Sequence, residues 1–389
     1  MMTYYRSEEI ASLVIGNPEA EGADYSAYRV PGIVVSQKGT VLAYWENRNY
    51  NKNRKGSNLD ECLMDITVRR STDGGKSFSE PIYIARGEDF FQKGLGETLN
   101  NPVMIVGDDG RLHFMFCCDV GRKGTFYTYS DDDGETWSEP RDIKPSLNRV
   151  AWDSLGFGPG HGICIQNGEH RGRLIVSAWI HRNNEMPPNA HVTHYCTATH
   201  NVTVYSDDNG ESWQMSVEAS ENRDETSIVE LSDGSVMINS RQHTLPFCES
   251  IPKYIEAEAR RAVTVSKNGV DGWSKTRYDD TLIDPACEGN ICAANVEGLP
   301  RAILFSNCAS TTKRFDLTVR CSFDDAKTWL EKTVYLCPIG WYSDIAVDQN
   351  GKVYVIHENA KITGGKKMCM ELFTFSLYDQ FVKDYLGEK

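Results

Sequence analysis

The chain has 389 residues, of which 40% are hydrophobic and 10% aromatic, and it carries a formal net charge of −14 at pH 7. This excess of acidic residues argues against a general surface for nucleic acids or anionic membranes, because such surfaces are basic. No segment reaches the roughly 18 consecutive apolar residues of a membrane helix, so we predict a globular protein without a membrane span.

The N-terminal residues 1–9 lack the basic region and long apolar run of a secretory signal, and the apolar stretch 10–16 is too short to supply one. The twelve cysteines are scattered without a Cys-x-x-Cys pair. In a chain of this length the pattern favours reduced, mostly buried thiols, although an even count is also compatible with disulfides. We therefore expect a cytoplasmic protein, with a secreted form that has lost a signal peptide as the alternative.

Short β-rich runs separated by turn residues follow one another along the chain. Clear examples are 32–36, 40–45, 66–70 and 112–116. Runs of this length, bounded by Gly, Asp and Asn, are typical of antiparallel β-meanders, and helical periodicity is nearly absent. The sequence therefore predicts an all-β fold. The basic run 48–55 interrupts the pattern and is either a solvated loop or a rim over an anion site.

An acidic octapeptide recurs after several of these runs, with the pattern Ser, any, Asp, any, usually Gly, any, Ser or Thr, aromatic. Its copies begin at Ser71, Ser130, Ser206, Ser322 and, in degenerate form, Ser266. Asp and Asn bond to nearby backbone and Gly supplies a positive φ, so the pattern predicts a tight turn. The aspartates could also suggest a calcium loop, but the ligand spacing of an EF-hand is missing. We predict turns and no metal ligands.

The octapeptides are spaced by 59, 76, 60 and 56 residues in chain order. A repeat near 60 residues divides the chain into about six units, and radial stacking of such units covers the edges of their sheets. β-turns at 107–111, 231–235 and 348–352 fall where hairpins between inner strands are expected. We predict a single domain over residues 1–389, a six-bladed β-propeller of four-stranded antiparallel blades.

Three arginines occupy positions where the β pattern makes a charged residue unusual. Arg29 starts the first apolar strand, Arg241 ends the run 236–241, and Arg314 follows the run 302–307. Each alone is more often a surface residue, because arginine is rarely buried without a partner. In a radial fold, blade-like spacing could bring all three to the central axis, where guanidinium groups would bind a carboxylate in bidentate geometry.

The order of these arginines relative to the octapeptides, Glu225 and Tyr342 resembles that of the retaining exo-α-sialidases. Members of that family have an Arg-Ile-Pro motif near the N-terminus, octapeptide repeats known as Asp boxes and a six-bladed propeller. Here the motif reads Arg29-Val30-Pro31, and the resemblance extends from residue 28 to residue 358. Asp boxes alone are weak support for activity, since they also occur in unrelated propellers.

The resemblance implies a substrate-binding role for one group of residues. Arg29, Arg241 and Arg314 would bind the carboxylate of the sugar, and Glu358 would brace Arg29. Asn101 stands where many relatives have an aspartate near the substituents of the sugar, which would alter preference at the N-acetyl or glycerol side.

The resemblance also implies the catalytic residues. Tyr342, in Gly340-Trp341-Tyr342-Ser343-Asp344, matches the nucleophile, Glu225 its activating base and Asp60 the acid/base. A sialoside carries its carboxylate on the anomeric carbon, so an anionic nucleophile would meet like-charge repulsion, and sialidases use tyrosine instead. A phenol of ordinary pKa is a poor nucleophile unless a base accepts its proton.

Some assignments within this scheme have competitors. Glu230 is the alternative base, although the hairpin between residues 225 and 241 favours Glu225. Glu61 and Asp65 lie close to Asp60 in sequence and compete for the acid/base role. Glu46 and Arg48 follow an inner strand and are expected to line the same rim.

The implied function is an exo-α-sialidase that releases terminal α-linked sialic acids from glycoconjugates or oligosaccharides with retention, through a tyrosyl-enzyme intermediate. The reaction would need no cofactor. A trans-sialidase, including intramolecular transfer, and a non-catalytic propeller that binds acidic sugars are the alternatives. Linkage preference and oligomeric state are left open by the sequence.

Overall fold

The computed structural model describes residues 10–52, 59–182, 199–221, 223–242 and 259–388. Within these ranges the chain is almost entirely β and forms six sheets arranged as the blades of a propeller, which confirms the predicted fold class. In chain order the strands are β1 (Ala11–Gly16), β2 (Ala27–Val35), β3 (Val41–Asn49), β4 (Leu63–Ser71), β5 (Ile82–Ala85), β6 (Leu99–Val106), β7 (Leu112–Cys118), β8 (Gly124–Ser130), β9 (Arg141–Asp142), β10 (Ser154–Phe157), β11 (Gly160–His161), β12 (Ile163–Cys164), β13 (Leu174–His181), β14 (Thr199–Ser206), β15 (Gln214–Met215), β16 (Ser220–Glu221), β17 (Arg223–Glu230), β18 (Val236–Gln242), β19 (Arg260–Ser266), β20 (Arg277–Ile283), β21 (Asn290–Ala294), β22 (Ala302–Cys308), β23 (Phe315–Ser322), β24 (Val334–Ile339), β25 (Ser343–Val347), β26 (Lys352–Asn359) and β27 (Cys369–Ser376). The helices in the described ranges are α1 (Gly87–Gln92), α2 (Lys383–Leu386), a π-helical turn at Tyr378–Val382 and 3-10 turns at Tyr50–Lys52, Lys144–Ser146 and Lys361–Thr363.

The blades follow the order of the chain, and their strands pair antiparallel from the axis outward. Blade 1 contains β2 to β5, blade 2 β6 to β9, blade 4 β17 to β20 and blade 5 β21 to β24. In blade 3 the first and fourth strands are each divided into two short segments, so that β10 and β12 pair with β13, and β15 and β16 pair with β14. Blade 2 gains a short parallel pairing of β11 with β6.

The sixth blade joins the two ends of the described chain. Its strands run in the order β25, β26, β27 and β1, so its outermost strand comes from the N-terminal side. Leu13 of β1, for example, pairs with Leu372 of β27. This closure explains why six blades have five octapeptides, because each octapeptide joins the third strand of a blade to its fourth, and in blade 6 those strands are not consecutive.

The octapeptides form the predicted turns, as the copy at residues 130–137 shows. The hydroxyl of Ser130 accepts the N–H of Gly134 at 2.8 Å, and Oδ1 of Asp132 accepts the N–H of Thr136 at 2.8 Å. Gly134 has a φ of 85°, which only glycine adopts without strain. In the copy that begins at Ser322, Ala326 occupies this place with a φ of 56°, so that turn is strained.

The hydrophobic core lies between neighbouring blades. Tyr44 of β3 and Phe114 of β7 meet edge to face across the boundary of blades 1 and 2, with ring centroids 5.2 Å apart. Further apolar clusters fill the boundaries between the later blades. The turns at 107–111, 231–235 and 348–352 connect the first and second strands of blades 2, 4 and 6, where inner-strand hairpins are predicted.

Several expectations fall partly outside the described residues. The N-terminal residues 1–9, residues 53–55 of the basic run, Cys196 and Cys248 lie there. The ten cysteines within the described ranges are free, and nine of them are buried. No helix in the part of the chain that the structure describes is long and apolar enough to cross a membrane. Localisation stays a prediction.

Candidate active site

A cavity of about 240 Å³ opens at the end of the axis where the first strands of the blades begin and the second strands end. Because the strands are antiparallel, residues at the start of a first strand and at the end of the following strand reach the same end of the propeller. All six blades contribute to its wall. The predicted site residues that line it are Arg29, Glu46, Arg48, Asp60, Asn101, Glu225, Arg241, Arg314 and Tyr342.

Tyr342 and Glu225 are in direct contact although 117 residues separate them in sequence. The phenol hydroxyl donates a short hydrogen bond to Oε1 of Glu225, while Nη1 of Arg241 binds the other oxygen of that carboxylate and lies 3.1 Å from the phenol oxygen. Burial, partly offset by Arg241, raises the pKa of Glu225. A carboxylate with a raised pKa is a better proton acceptor, so Glu225 is suited to deprotonate the phenol.

The pKa of Tyr342 is raised well above its ordinary value, first by burial and then by the charge of Glu225, while Arg241 and Arg314 act in the opposite direction. These influences together favour the protonated phenol, whose hydroxyl donates its hydrogen bond to Glu225.

The three arginines converge around Tyr342. The Cζ atoms of Arg29 and Arg314 lie 5.6 and 5.5 Å from the centroid of its ring, while Arg241 contacts its hydroxyl. Arg314 forms no salt bridge with any carboxylate in the described part of the chain. Arg29 and Arg241 are each paired with a glutamate, so Arg314 is the member of the group whose charge is most available to an incoming anion.

The backbone of β2 explains how Arg29 reaches the cavity. The pairing of β2 with β3 shifts register between Arg29 and Gly32, and Val30 has a φ of 56° at this bulge. Such a bulge changes the direction of the side chains beside it. Glu358 holds the strained segment from blade 6, since its Oε1 accepts both Arg29 Nε and the N–H of Val30 at 2.7 Å. Glu358 is fully buried behind the arginine rather than in the cavity wall.

Next to Arg29, the wall contains a chain of charged groups from blade 1. Arg48 binds Glu46 through Nη2 at 2.6 Å and also binds Asp60. The side chain of Asp60 is 45% exposed, so it can exchange protons with solvent and approach a ligand. The other oxygen of Glu46 accepts the N–H of Asn101 at 2.8 Å. Glu46 thus fixes two residues on this side of the cavity.

The structure distinguishes among the carboxylates that compete for the base and acid/base roles. Asp65 is buried and accepts the N–H of Gly87 at 2.8 Å as well as the hydroxyl of Tyr25. Glu230 accepts the main-chain N–H groups of Gln166 and Asn167 at 2.9 and 2.7 Å. These two carboxylates and Glu61 lie outside the cavity wall, whereas Asp60 and Glu225 lie in it. The geometry therefore favours the assignments that the sequence preferred.

The wall also contains residues without a role in the sequence prediction, among them Trp341, Trp179, His181 and Asp224. Trp341 and Asp224 precede Tyr342 and Glu225, and adjacency in the chain is the signal that could have identified them. Trp179 and His181 end β13, the strand of blade 3 that corresponds to β3 and β18. A rule that second strands end at the cavity would have found both, as it finds Arg48 and Arg241.

The chain is similar to known proteins over most of its length. Residues 39–355 match the model of the BNR repeat-like domain. The chain is 29% identical over 357 residues to a sialidase of Micromonospora viridifaciens, covering 85% of this chain and 50% of that protein. It is 26% identical over 375 residues to a sialidase of Bacteroides fragilis, covering 89% of this chain and 62% of that protein. The chain thus spans about half to three fifths of the length of these relatives.

Solved structures show the same fold. A Hadza microbial sialidase superposes with a TM-score of 0.77 at 22% identity, covering 95% of this chain and 69% of that one. The intramolecular trans-sialidase of Ruminococcus gnavus, solved with oseltamivir carboxylate, gives a TM-score of 0.68 at 17% identity, covering 92% and 96% of the two chains. The BNR model covers most of the present chain, and the sialidase relatives extend over the same region. The chain therefore belongs to the BNR repeat-like family of sialidase-type β-propellers.

Proposed function

We propose that the protein is an exo-α-sialidase that hydrolyses terminal α-linked sialic acids of glycans or oligosaccharides with retention of configuration. The observation that carries the proposal is the hydrogen bond from the Tyr342 hydroxyl to Glu225 inside a cavity lined by three arginines. A site that merely binds an acidic sugar needs the arginines but not a phenol paired with a buried base. The sialidase relatives point to the same class of substrate.

Binding begins with the carboxylate of the sugar, which Arg29, Arg241 and Arg314 surround. Charge-assisted hydrogen bonds of guanidinium groups to carboxylates are among the stronger polar contacts in proteins. Arg314 would form the main new ion pair, because Arg29 and Arg241 are already paired with glutamates. This arrangement would place the anomeric carbon over the phenol oxygen of Tyr342.

In the first half-reaction Glu225 takes the proton of Tyr342 as the phenol oxygen attacks the anomeric carbon. Asp60 protonates the departing glycosidic oxygen, which its exposed position on the cavity rim allows. The attack inverts the anomeric centre and forms a tyrosyl-sialoside. Arg241, which contacts both the phenol oxygen and Glu225, stabilises the negative charge as it moves between them.

In the second half-reaction Asp60, now a carboxylate, takes a proton from water, and the hydroxide attacks the anomeric carbon. The bond to Tyr342 breaks, and the phenolate recovers its proton from Glu225. The second inversion restores the original configuration. A sugar hydroxyl in place of water would give transfer instead of hydrolysis.

The test is NMR analysis of products from 3′- and 6′-sialyllactose with the wild type, Tyr342→Phe and, as a matched control, Tyr205→Phe. Tyr205 is buried on β14, where its hydroxyl contacts Gln214, away from the cavity. We expect the α-anomer of free sialic acid as first product, its loss in Tyr342→Phe, and wild-type turnover in the control. Full activity of Tyr342→Phe would refute the mechanism. An anhydro-sugar would indicate intramolecular transfer, and binding without turnover would indicate a lectin-like propeller.

A further inference from the structure

Two buried residues of blade 5 hold the main chain immediately after Tyr342. Oε2 of Glu288 accepts the N–H of Ser343 at 2.9 Å, and Nδ2 of Asn290 donates to the carbonyl oxygen of Ser343 at 3.1 Å. The same amide group also donates to the second oxygen of Glu288. Glu288 is 3% exposed, and Ser343 and Asn290 are fully buried. Both main-chain polar groups of Ser343 are thus bound by one pair of side chains.

The chain is held from the other side by blade 6. The N–H of Glu358 donates to the carbonyl oxygen of Tyr342 at 3.1 Å, and the side chain of Glu358 binds Arg29. Tyr342 therefore stands between two anchors, one on its own carbonyl and one on the following residue. Rotation of the peptide between Tyr342 and Ser343 would break contacts on both sides, so the direction of the phenol ring depends on them.

The backbone of Gly160 packs closely against the side-chain amide of Asn290. A Cβ atom on Gly160 would lie 2.3 Å from Nδ2 of Asn290, so the close approach of these residues requires glycine. Gly160 also has a φ of 102°. The amide is confined between this backbone and Glu288, which fixes the donor that reaches Ser343.

Burial of Glu288 costs free energy, because a carboxylate loses its hydration and no ion pair replaces it here. Its pKa is raised well above the ordinary value, first by burial and then by the nearby charge of Glu225. Holding two blades together does not require an acid this close to Glu225. Its place suggests a role in the geometry of the site.

We propose that Glu288 and Asn290 are positioning residues that direct the hydroxyl of Tyr342 towards Glu225 by clamping the main chain of Ser343. The inference rests on the proposed function, since the direction of the phenol matters for nucleophilic attack. Misplacement of a reacting group by about 1 Å can cost on the order of 100-fold in rate. The clamp acts on the chemical step and leaves the arginines that bind the substrate in place.

The test compares Glu288→Gln and Asn290→Ala with Glu230→Gln as the matched control. Glu230 is also a buried carboxylate that accepts two main-chain N–H groups, but it lies outside the cavity. In Glu288→Gln the new amide would face that of Asn290, so one contact with Ser343 is lost. In both clamp variants we expect kcat on a fluorogenic sialoside to fall about 100-fold with KM changed less than about threefold. Glu230→Gln should lower the melting temperature and leave kcat and KM unchanged.

A second readout separates this inference from the proposed function. The protein is labelled with [13Cζ]-tyrosine, and the NMR signal of Tyr342 is assigned by its absence in Tyr342→Phe. The chemical shift of this signal and its change with pH report the contact with Glu225 without substrate. We expect both to change in the clamp variants and to stay unchanged in Glu230→Gln. A wild type without turnover would refute the sialidase function and leave this measurement intact. Clamp variants with an unchanged Tyr342 signal, or with kcat no lower than in the control, would overturn the clamp.

Discussion

Replacement of Asp132 by alanine should lower stability and leave turnover per folded molecule unchanged. Its carboxylate accepts the hydroxyl of Ser130 and the N–H of Thr136, each at 2.8 Å, and the hydroxyl of Thr136. Burial favours the neutral acid, but these hydrogen bonds outweigh it and lower the pKa of Asp132 to about 2. The folded state thus prefers the ionised carboxylate, and none of the residues in this turn lines the cavity.

The expected loss follows from the exposure of the turn. Net contributions of about 0.5–1.5 kcal/mol per hydrogen bond, taken at the lower end because solvent reaches this site, give a loss of about 2 kcal/mol. For a protein of this size that corresponds to a fall of about 2–3 °C in melting temperature. The contribution of ionisation is present above the unfolded pKa of about 4 and disappears as pH falls towards 2, so the difference from wild type should shrink in acid.

The assay is thermal unfolding from pH 2.5 to 7, together with kcat/KM on a fluorogenic sialoside corrected for the folded fraction. Asp131→Ala is the matched control, because Asp131 is the adjacent residue in the same octapeptide. Its side chain is 60% exposed and forms a surface ion pair with Arg111, which contributes less than about 1 kcal/mol. A large loss of turnover in Asp132→Ala with unchanged melting would refute the assignment of the octapeptide to the fold.

Three further predictions concern the site and the axis. Arg314→Lys should raise KM about 10-fold or more with a smaller change in kcat, because lysine cannot form the bidentate contact; equal KM values in steady-state kinetics would contradict this. Glu358→Gln should weaken binding of a sialic acid analogue about 10-fold in calorimetry, since the buried carboxylate no longer orients Arg29; unchanged affinity would exclude that role. Burial disfavours a charged His161, but the carboxylate of Asp344, 2.8 Å away, outweighs burial and raises the pKa of the ring. The stability that this ion pair contributes is therefore fully present below the unfolded pKa of about 6.5 and is lost as pH rises through the raised pKa. Melting temperature should therefore fall with rising pH in the wild type and less steeply in His161→Asn; parallel curves would argue against the ion pair.

The fold could be predicted because its periodic element is local. Each octapeptide places its hydrogen-bonding residues within eight positions, so the pattern and its spacing are visible without tertiary structure. The same spacing located the ends of strands and hence Arg29, Arg241 and Arg314. The N-terminal closure through β1 could not be predicted in this way, because β1 pairs with β27 from the far end of the chain and carries no octapeptide.

The site was predictable where a motif marks the residue and unpredictable where a contact depends on packing between blades. Tyr342 and Glu225 lie in recognisable segments, whereas the link from Glu288 to Ser343 joins residues 55 apart with no local signal. The choice among Asp60, Glu61 and Asp65 was likewise open in the sequence. The choice depends on which of these carboxylates already accepts hydrogen bonds from other groups, and Asp65 accepts them from Gly87 and Tyr25.

Blade 6 connects the closure of the ring to the chemistry of the cavity. It contributes Tyr342 immediately before β25, Glu358 on β26 and, through Asp344, a carboxylate that accepts the N–H of Ile33 in blade 1 at 2.8 Å. The contacts of Glu358 and Asp344 therefore cross the boundary between the last and first blades, while β1 completes the outer edge of the same blade. A propeller that failed to close would lose the relative placement of Arg29 and Tyr342 before it lost any octapeptide turn. The acidic turns join neighbouring blades as well, since Asp133 of blade 2 accepts the hydroxyl of Thr40 in blade 1, but the buried Glu358 does so at Val30, in the wall of the cavity.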